Sequence, residues 1–491
     1  MEYSLKKKTV KGVKWTSINT AFNALITPLF YVLLATLLSP SEFAYIAVIT
    51  LFFRLSPIIA KFGIEEAYIQ NENNTNLQNS SLFIFNFLMS LVIALSLYFI
   101  SPFIEMYYSM VNLSLYIKIL TIAVIGEGMA PIFKGMLKKN FLFKENTIVV
   151  MISMLLRVTV TIILIKFNFG VISYVIAISI STLFSLITFI TIARIKTEIN
   201  FIFDFKLKSI IKFIKFGYPV TGRSFIGLIN QRADEILIGA FFSSEVLGVY
   251  FFGKNLMAQV RTAITTSFSA VLLPLYTNFK SSVIKLGNAY TKITKITAMV
   301  GFPVLVGISL TADIFVPLIF GEKWNDSIIV IQILFVAVML PIITGNNAVS
   351  LLYSLGKPFL VLKIEIISSI IYLVSLWFTL VFGGKIITVL VLFSLFLIIN
   401  SLVQQYYVNK NIRSNLFIFF KNFQPICISL ILMTIFVYMS KNYLFYDYSS
   451  IKKLILVILI GITTYSISEL IFDRKDSKFL IQNIFKKYIS K

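Results

Sequence analysis

There is no histidine in this chain of 491 residues, and only one cysteine, Cys427. The first absence removes imidazole acid–base catalysis, His metal sites and His proton relays together. The second excludes an intrachain disulfide and a cysteine metal cluster. Cys427 lies in an apolar run and is expected to be a buried structural thiol. Charge is also scarce, at 13% of residues against 58% hydrophobic, with a mean hydropathy of +0.89. No soluble globular chain of this size has that balance, so the sequence reads as an all-α integral membrane protein with many spans. Acid is scarcer than base, 21 Asp and Glu against 44 Lys and Arg, a net charge of +23. In a membrane protein such an excess holds loops on the cytoplasmic side, and it does not point to nucleic acid. A Walker A loop, a GxGxxG turn and a carboxylate pair on an exposed loop are all missing, which excludes ATP hydrolysis by the chain itself, a dinucleotide fold and glycoside chemistry. No loop is long enough for a soluble catalytic domain. The chain is therefore expected to be no enzyme and to need no cofactor or metal.

What is present is a succession of apolar runs. After Lys6, Lys7, Lys8, Lys11 and Lys14 comes an apolar stretch of about Val13 to Leu38. It exceeds a signal-peptide core and lacks a clear cleavage site, so it reads as an uncleaved first span. About fourteen transmembrane helices are expected. Six run near 13–38, 42–62, 80–103, 114–137, 147–166 and 170–193, and six more near 217–242, 246–279, 294–320, 327–353, 360–382 and 385–407. Two follow near 423–440 and 452–472. Asn346 and Asn347, beside Gly345, predict a break in the tenth. This gives an N-terminal six-helix lobe over 1–193, a basic linker over 194–216 and a second six-helix lobe over 217–407. An extra two-helix segment covers 408–472, and a basic tail over 473–491 reads as a short amphipathic surface helix. Alternate loops are basic: Lys138, Lys139 and Lys144; Arg194, Lys196, Lys206, Lys208 and Lys212; Lys280, Lys285 and Lys292; Lys410, Arg413 and Lys421. That pattern puts both termini in the cytoplasm, with Lys441, Lys452 and Lys453 as the exception among the outer loops.

A weak internal repeat supports the two lobes. LLATLLSPSEFA over 33–44 and LIGAFFSSEVLG over 237–248 share an apolar run, a serine and, four and five residues on, an apolar and a small residue, at an offset of about 204. Under that offset Asn19 falls opposite Arg223, and Asn23 opposite Gly227. With six helices per half, helices one and seven start on the same side, so the repeat is parallel and its two lobes are expected to enclose a central cavity.

The seventh span, Gly217 to Phe242, is the most polar. A charge near the centre of a bilayer costs about 2.5–3.5 kcal/mol on insertion scales, so charged residues there normally face protein, water or a ligand. Arg223, Gly227, Asn230 and Asp234 share one helical face, while Arg232 and Glu235, three apart, can pair on another. Lys254 and Arg261 share a face of the next span. Arg54 falls in the second, Arg157 in the fifth, and Glu127 and Lys134 in the fourth. The cations Arg223, Arg232, Lys254, Arg261, Arg54 and Arg157 outnumber the acids of their spans. A cavity with surplus positive charge suits an anion, and arginine suits phosphate because its fork binds two oxygens. Asp234, Glu235 and Glu127, with Asn230, Asn19 and Asn23, are the polar residues open to ion coupling.

The segments KKKTVKGVKW (6–15), LATLLSPSEFAYIA (34–47) and NQRADEILIGAFFSSEVLGVY (230–250) resemble polysaccharide exporters of the Wzx type, in the branch of colanic acid and teichuronic acid exporters. These belong to the multidrug/oligosaccharidyl-lipid/polysaccharide exporter superfamily. The likeness covers about residues 5–410. It implies a flippase of the bacterial plasma membrane that moves undecaprenyl-diphosphate-linked oligosaccharide to the outer leaflet for O-antigen, capsule or exopolysaccharide. It also implies contact with membrane lipid and with a polymerase and chain-length proteins of the same pathway. By position Arg223, Arg232 and Asp234 fit the family's cavity role in the seventh helix. Glu235 departs from it, adding negative charge where this branch usually has a neutral residue. The alternatives are a drug/cation antiporter or a lipid II flippase of the same superfamily. Against the antiporter, the first helix offers Asn19 and Asn23 in place of a carboxylate.

Overall fold

The computed structural model describes residues 2–71, 74–197, 204–279, 282–445 and 448–474, without the side chains of 2–9, 266–271, 273 and 274. The expected surface helix in the tail, the centre of the basic linker and the side chains of Lys6, Lys7 and Lys8 lie outside the described residues.

All fourteen expected spans are helices. In chain order the elements are α1 (Glu2–Leu37), α2 (Pro40–Lys61), α3 (Ile64–Gln70), α4 (Asn76–Tyr108), α5 (Leu113–Lys139), α6 (Phe143–Lys166), α7 (Ile172–Lys196) and α8 (Leu207–Phe241). They continue with α9 (Ser244–Phe279), α10 (Val283–Phe320), α11 (Ser327–Ser354), α12 (Pro358–Val381), α13 (Ile386–Ile412), α14 (Leu416–Lys421), α15 (Gln424–Met439) and α16 (Ser450–Phe472). In hydrocarbon a helix satisfies every backbone group within its own segment, which is why the long apolar runs fold this way. Among the described residues twelve of these helices are long and apolar enough to cross a membrane; α8 and α9 are not in that set. In α8 the charged residues Arg223, Arg232, Asp234 and Glu235 lower the hydropathy.

Several boundaries move outward. α8 begins ten residues earlier than expected, so half of the linker is helix. Its first turns are amphipathic: Ile210, Phe213 and Gly217 are buried, while Lys208, Lys212 and Lys215 face outward. The basic residues hid an apolar stripe at helical spacing. α11 runs unbroken through Gly345, because the Asn347 amide donates to the Ile343 carbonyl at 2.9 Å along the helix and does not interrupt it. Cys427 is exposed, contrary to expectation. α15 buries Ile426, Ser429, Leu430, Met433 and Val437, and Cys427 lies off that stripe.

By packing, the chain divides into two compact units, Met1–Phe251 and Phe252–Lys491. The division falls inside α9, between Phe251 and Phe252, and not in the linker. In the first unit α5 is central, touching α2, α3, α4, α6 and α7, and α8 lies on α2, α3 and α4. Ile210 and Phe213 of α8 join Tyr68, Phe133, Met136 and Phe189 in one buried cluster. In the second unit α11 packs on α10 and α13, α12 lies on α13, and the pair α15–α16 rests on α10.

The repeat has a local counterpart. Ser39 caps α2, accepting from the Glu42 amide at 3.3 Å, while the Glu42 carboxylate accepts from the Ser39 amide at 2.8 Å. At the offset of 204, Ser243 accepts from the Val246 amide at 3.4 Å before α9. Each serine satisfies an N–H that the first helical turn leaves without a partner.

Candidate functional site

Two glycines set the position of α8. A Cβ at Gly217 would stand 1.9 Å from the Phe62 carbonyl oxygen, so α8 crosses the α2–α3 corner backbone to backbone. The corner itself is left-handed at Phe62 (φ 48°) and Gly63 (φ 62°). Further along, a Cβ at Gly248 would stand 1.7 Å from the Pro40 carbonyl oxygen, which fixes the first turn of α9 against the start of α2.

Between these crossings the polar residues of α8 fall into two groups. Arg232, Asp234 and Glu235 are buried. Nη1 of Arg232 donates to both oxygens of Glu235, at 2.7 and 2.8 Å, and the guanidinium carbon lies 5.5 Å from the centre of the Phe251 ring. Asp234 accepts from the hydroxyl of Tyr250, which is itself fully buried. Tyr31 of α1 donates to the Phe251 carbonyl at 3.1 Å and closes the same corner. The other group is open. Arg223 is exposed, Gly227 and Asn230 are half-buried, and a Cβ at Gly222 or Gly227 would meet nothing within 4 Å. The face of Arg223, Gly227, Asn230 and Asp234 therefore grades from open to sealed.

A second group of cations belongs to the same unit. Arg54 of α2 is exposed and lies within electrostatic reach of Arg157 and Arg232. Nε of Arg157 donates to Ser181 Oγ at 3.1 Å, and its guanidinium carbon lies 5.5 Å from the Phe53 ring centre. Glu127 of α5 receives Lys61 of α2 at 2.8 Å and Lys134 at 3.1 Å. Lys134 therefore pairs inside the protein. Asn23 bonds back one turn to Asn19: its Nδ2 donates to the Asn19 carbonyl at 2.9 Å and to Asn19 Oδ1 at 3.0 Å.

Lys254 and Arg261 stand in the second unit. Nζ of Lys254 lies 4.8 Å above the Phe393 ring, and Arg261 reaches the α11 backbone, where a Cβ at Gly345 would be 3.5 Å from its Nη2. The first unit thus gathers Arg54, Arg157, Arg232 and Glu127, with Arg223 on the open stretch of α8, and the second unit holds the remaining two cations.

Residues 33–329 match the model of the polysaccharide biosynthesis protein family. The chain belongs to that family. Every one of the six candidate cations lies inside the matched segment. The chain is similar to the teichuronic acid biosynthesis protein TuaB of Bacillus subtilis (strain 168), 25% identical over 421 residues, 85% of this chain and 86% of the relative. The lipopolysaccharide biosynthesis protein WzxC of Escherichia coli (strain K12) is 23% identical over 414 residues, 83% of this chain and 82% of the relative. In fold the chain is similar to the lipid II flippase MurJ in an inward closed conformation, with a TM-score of 0.75 at 17% identity, covering 93% of this chain and 98% of that one. An inward-facing multidrug resistance MATE transporter matches with a TM-score of 0.60 at 13% identity, over 81% and 96%. The polysaccharide family member is accordingly an all-α, multi-pass membrane protein.

Sequence reading missed Lys61, Tyr31 and Tyr250. Lys61 carried a signal: it follows Arg54 by seven residues, the same spacing as Glu127 to Lys134, so each pair shares a helical face. The two tyrosines carried none, because only packing brings them against α8 and the start of α9.

Proposed function

We propose that this protein is a flippase carrying undecaprenyl-diphosphate-linked oligosaccharide repeat units from the inner to the outer leaflet of the bacterial plasma membrane, for surface polysaccharide assembly. Family membership supports the pathway. The observation that carries the mechanism is the concentration of guanidiniums on the membrane helices of the first unit, with Arg54 and Arg223 exposed. A lipid-linked diphosphate supplies the anion such groups need. The head passes along polar protein while the polyprenyl tail stays in lipid, so neither part crosses the wrong solvent. The basic loops hold both termini in the cytoplasm. Arg223, Arg54 and Arg157 of the first unit meet the diphosphate or acidic sugars. Arg232 supports the site through Glu235. Ion coupling through Glu127, Asp234 or Glu235 requires breaking the bond each of them makes. Polymerase and chain-length proteins of the pathway are the expected neighbours.

The deciding experiment deletes the gene and follows both surface polymer and lipid-linked repeat units. Loss of polymer with repeat units accumulating on the cytoplasmic leaflet is the expected result. Unchanged surface polymer, or rescue of a strain lacking its lipid II flippase, refutes the assignment. The likeness in fold to MurJ makes that rescue the control that matters most.

A further inference from the structure

The paired lysines around Glu127 are not used by the site described above, and they differ in kind from the ion pair in α8. Arg232 and Glu235 are sealed, with side chains 9% and 3% exposed, and one cation meets one anion. Lys61, Lys134 and Glu127 remain 32%, 17% and 20% exposed, and two cations share one anion. Both ammoniums approach the same oxygen, Oε1, at 2.8 and 3.1 Å. Each ammonium has three donors, and among the described residues Lys61 makes no other hydrogen bond, while Lys134 adds only the Phe189 ring, 5.4 Å away.

The neighbours do not cancel the surplus. Glu65 and Glu66 bear on Lys61 from α3, but Glu65 is held by Lys138 at 2.6 Å. Lys139 and Lys212 both bond to Asn71, adding two further cations at this end of the unit. In the other direction Arg157 lies within electrostatic reach of Glu127. Arg54 sits two turns before Lys61 on the same face of α2, about 10 Å along the helix axis. The cations therefore form a series, Lys61 with Lys134 and then Arg54 with Arg157, leading inward from the lysine-rich end of the helices.

We propose that Lys61 and Lys134 form a phosphate-binding station and that Glu127 occupies it as an internal substitute for the anion. Resting on the flippase reading, this is the loading position: the diphosphate displaces Glu127 between the two lysines before moving to Arg54 and Arg157. The shared chemistry is a phosphate-bearing lipid head, which an anionic phospholipid also offers.

The test uses the purified full chain in detergent, with farnesyl diphosphate as probe, and separately in nanodiscs of phosphatidylglycerol or phosphatidylcholine. Glu127→Gln removes the competing carboxylate and should tighten farnesyl diphosphate binding several-fold. K61Q/K134Q should weaken it at least tenfold, and Lys134→Arg should retain it. A purely structural triad predicts the opposite sign for Glu127→Gln, since two lysines would be left unpaired. Binding that is unchanged or weakened in Glu127→Gln overturns the station, even where the double variant fails to fold. That outcome leaves the flippase reading intact, because surface polymer in cells is scored independently. Retention of phosphatidylglycerol that K61Q/K134Q abolishes and farnesyl diphosphate does not displace overturns the substrate assignment and gives the site to phospholipid. A parent chain that binds neither overturns the station.

Discussion

Neutralising Glu235 alone should damage the protein more than removing Glu235 and Arg232 together. The pair is almost wholly buried, and a single guanidinium nitrogen holds both carboxylate oxygens at 2.7 and 2.8 Å. Taking one partner from a buried pair leaves a desolvated charge, which costs about 3–5 kcal/mol. Replacing both partners with apolar side chains of similar volume is often neutral or stabilising. Glu235→Gln and Arg232→Met should therefore each lower stability by that amount, and R232M/E235L should recover most of it, a coupling of about 3 kcal/mol or more. The assay is equilibrium unfolding of the four proteins in mixed detergent, closed as a double-mutant cycle. Additive single effects, or a Glu235→Gln variant as stable as its parent, would refute the claim that Arg232 is tied to Glu235. Arg232 would then be available to a ligand as an unshared cation.

Arg223→Gln should behave differently from the Arg232 variants. It lies on the open stretch of α8, so surface polymer should fall sharply while protein level and unfolding stay within about 0.5 kcal/mol of the parent; normal polymer would remove Arg223 from the site. Gly217→Ala places a methyl 1.9 Å from a backbone oxygen, so α8 must shift, with a loss of at least about 1–3 kcal/mol in unfolding. Ser39→Ala removes the cap of α2 and should cost about 1 kcal/mol in the same assay. Lys441→Gln breaks a pair with Asp313 whose acid is 43% exposed, and should cost no more than about 1 kcal/mol. That pair also accounts for one basic residue in a loop where the charge pattern expected none.

The long helices were legible because a membrane span declares itself by composition: an apolar run long enough to cross has no other way to satisfy its backbone. The helix ends were less legible where basic residues mask an apolar stripe, as at Ile210 and Phe213. Asn347 of α11 was misread as part of a break because an amide that bonds back along its own helix looks, in sequence, like one that interrupts it. Cys427 was misplaced because in a uniformly apolar helix periodicity does not say which side packs against protein and which side faces outward.

By itself the sequence determined that this is a helical membrane protein, that cations are concentrated in certain spans, and that Arg232 and Glu235 are spaced to pair. Helical spacing is a local property and survives without coordinates. Tertiary structure decided how deep each charge lies: Arg232 is sealed by Glu235 and Phe251, Arg223 lies on an exposed stretch of α8, and Lys61 is brought to Glu127 from another helix. Those outcomes depend on where α8 crosses the α2–α3 corner and how α2 packs on α5, contacts between residues tens of positions apart that no window of sequence contains.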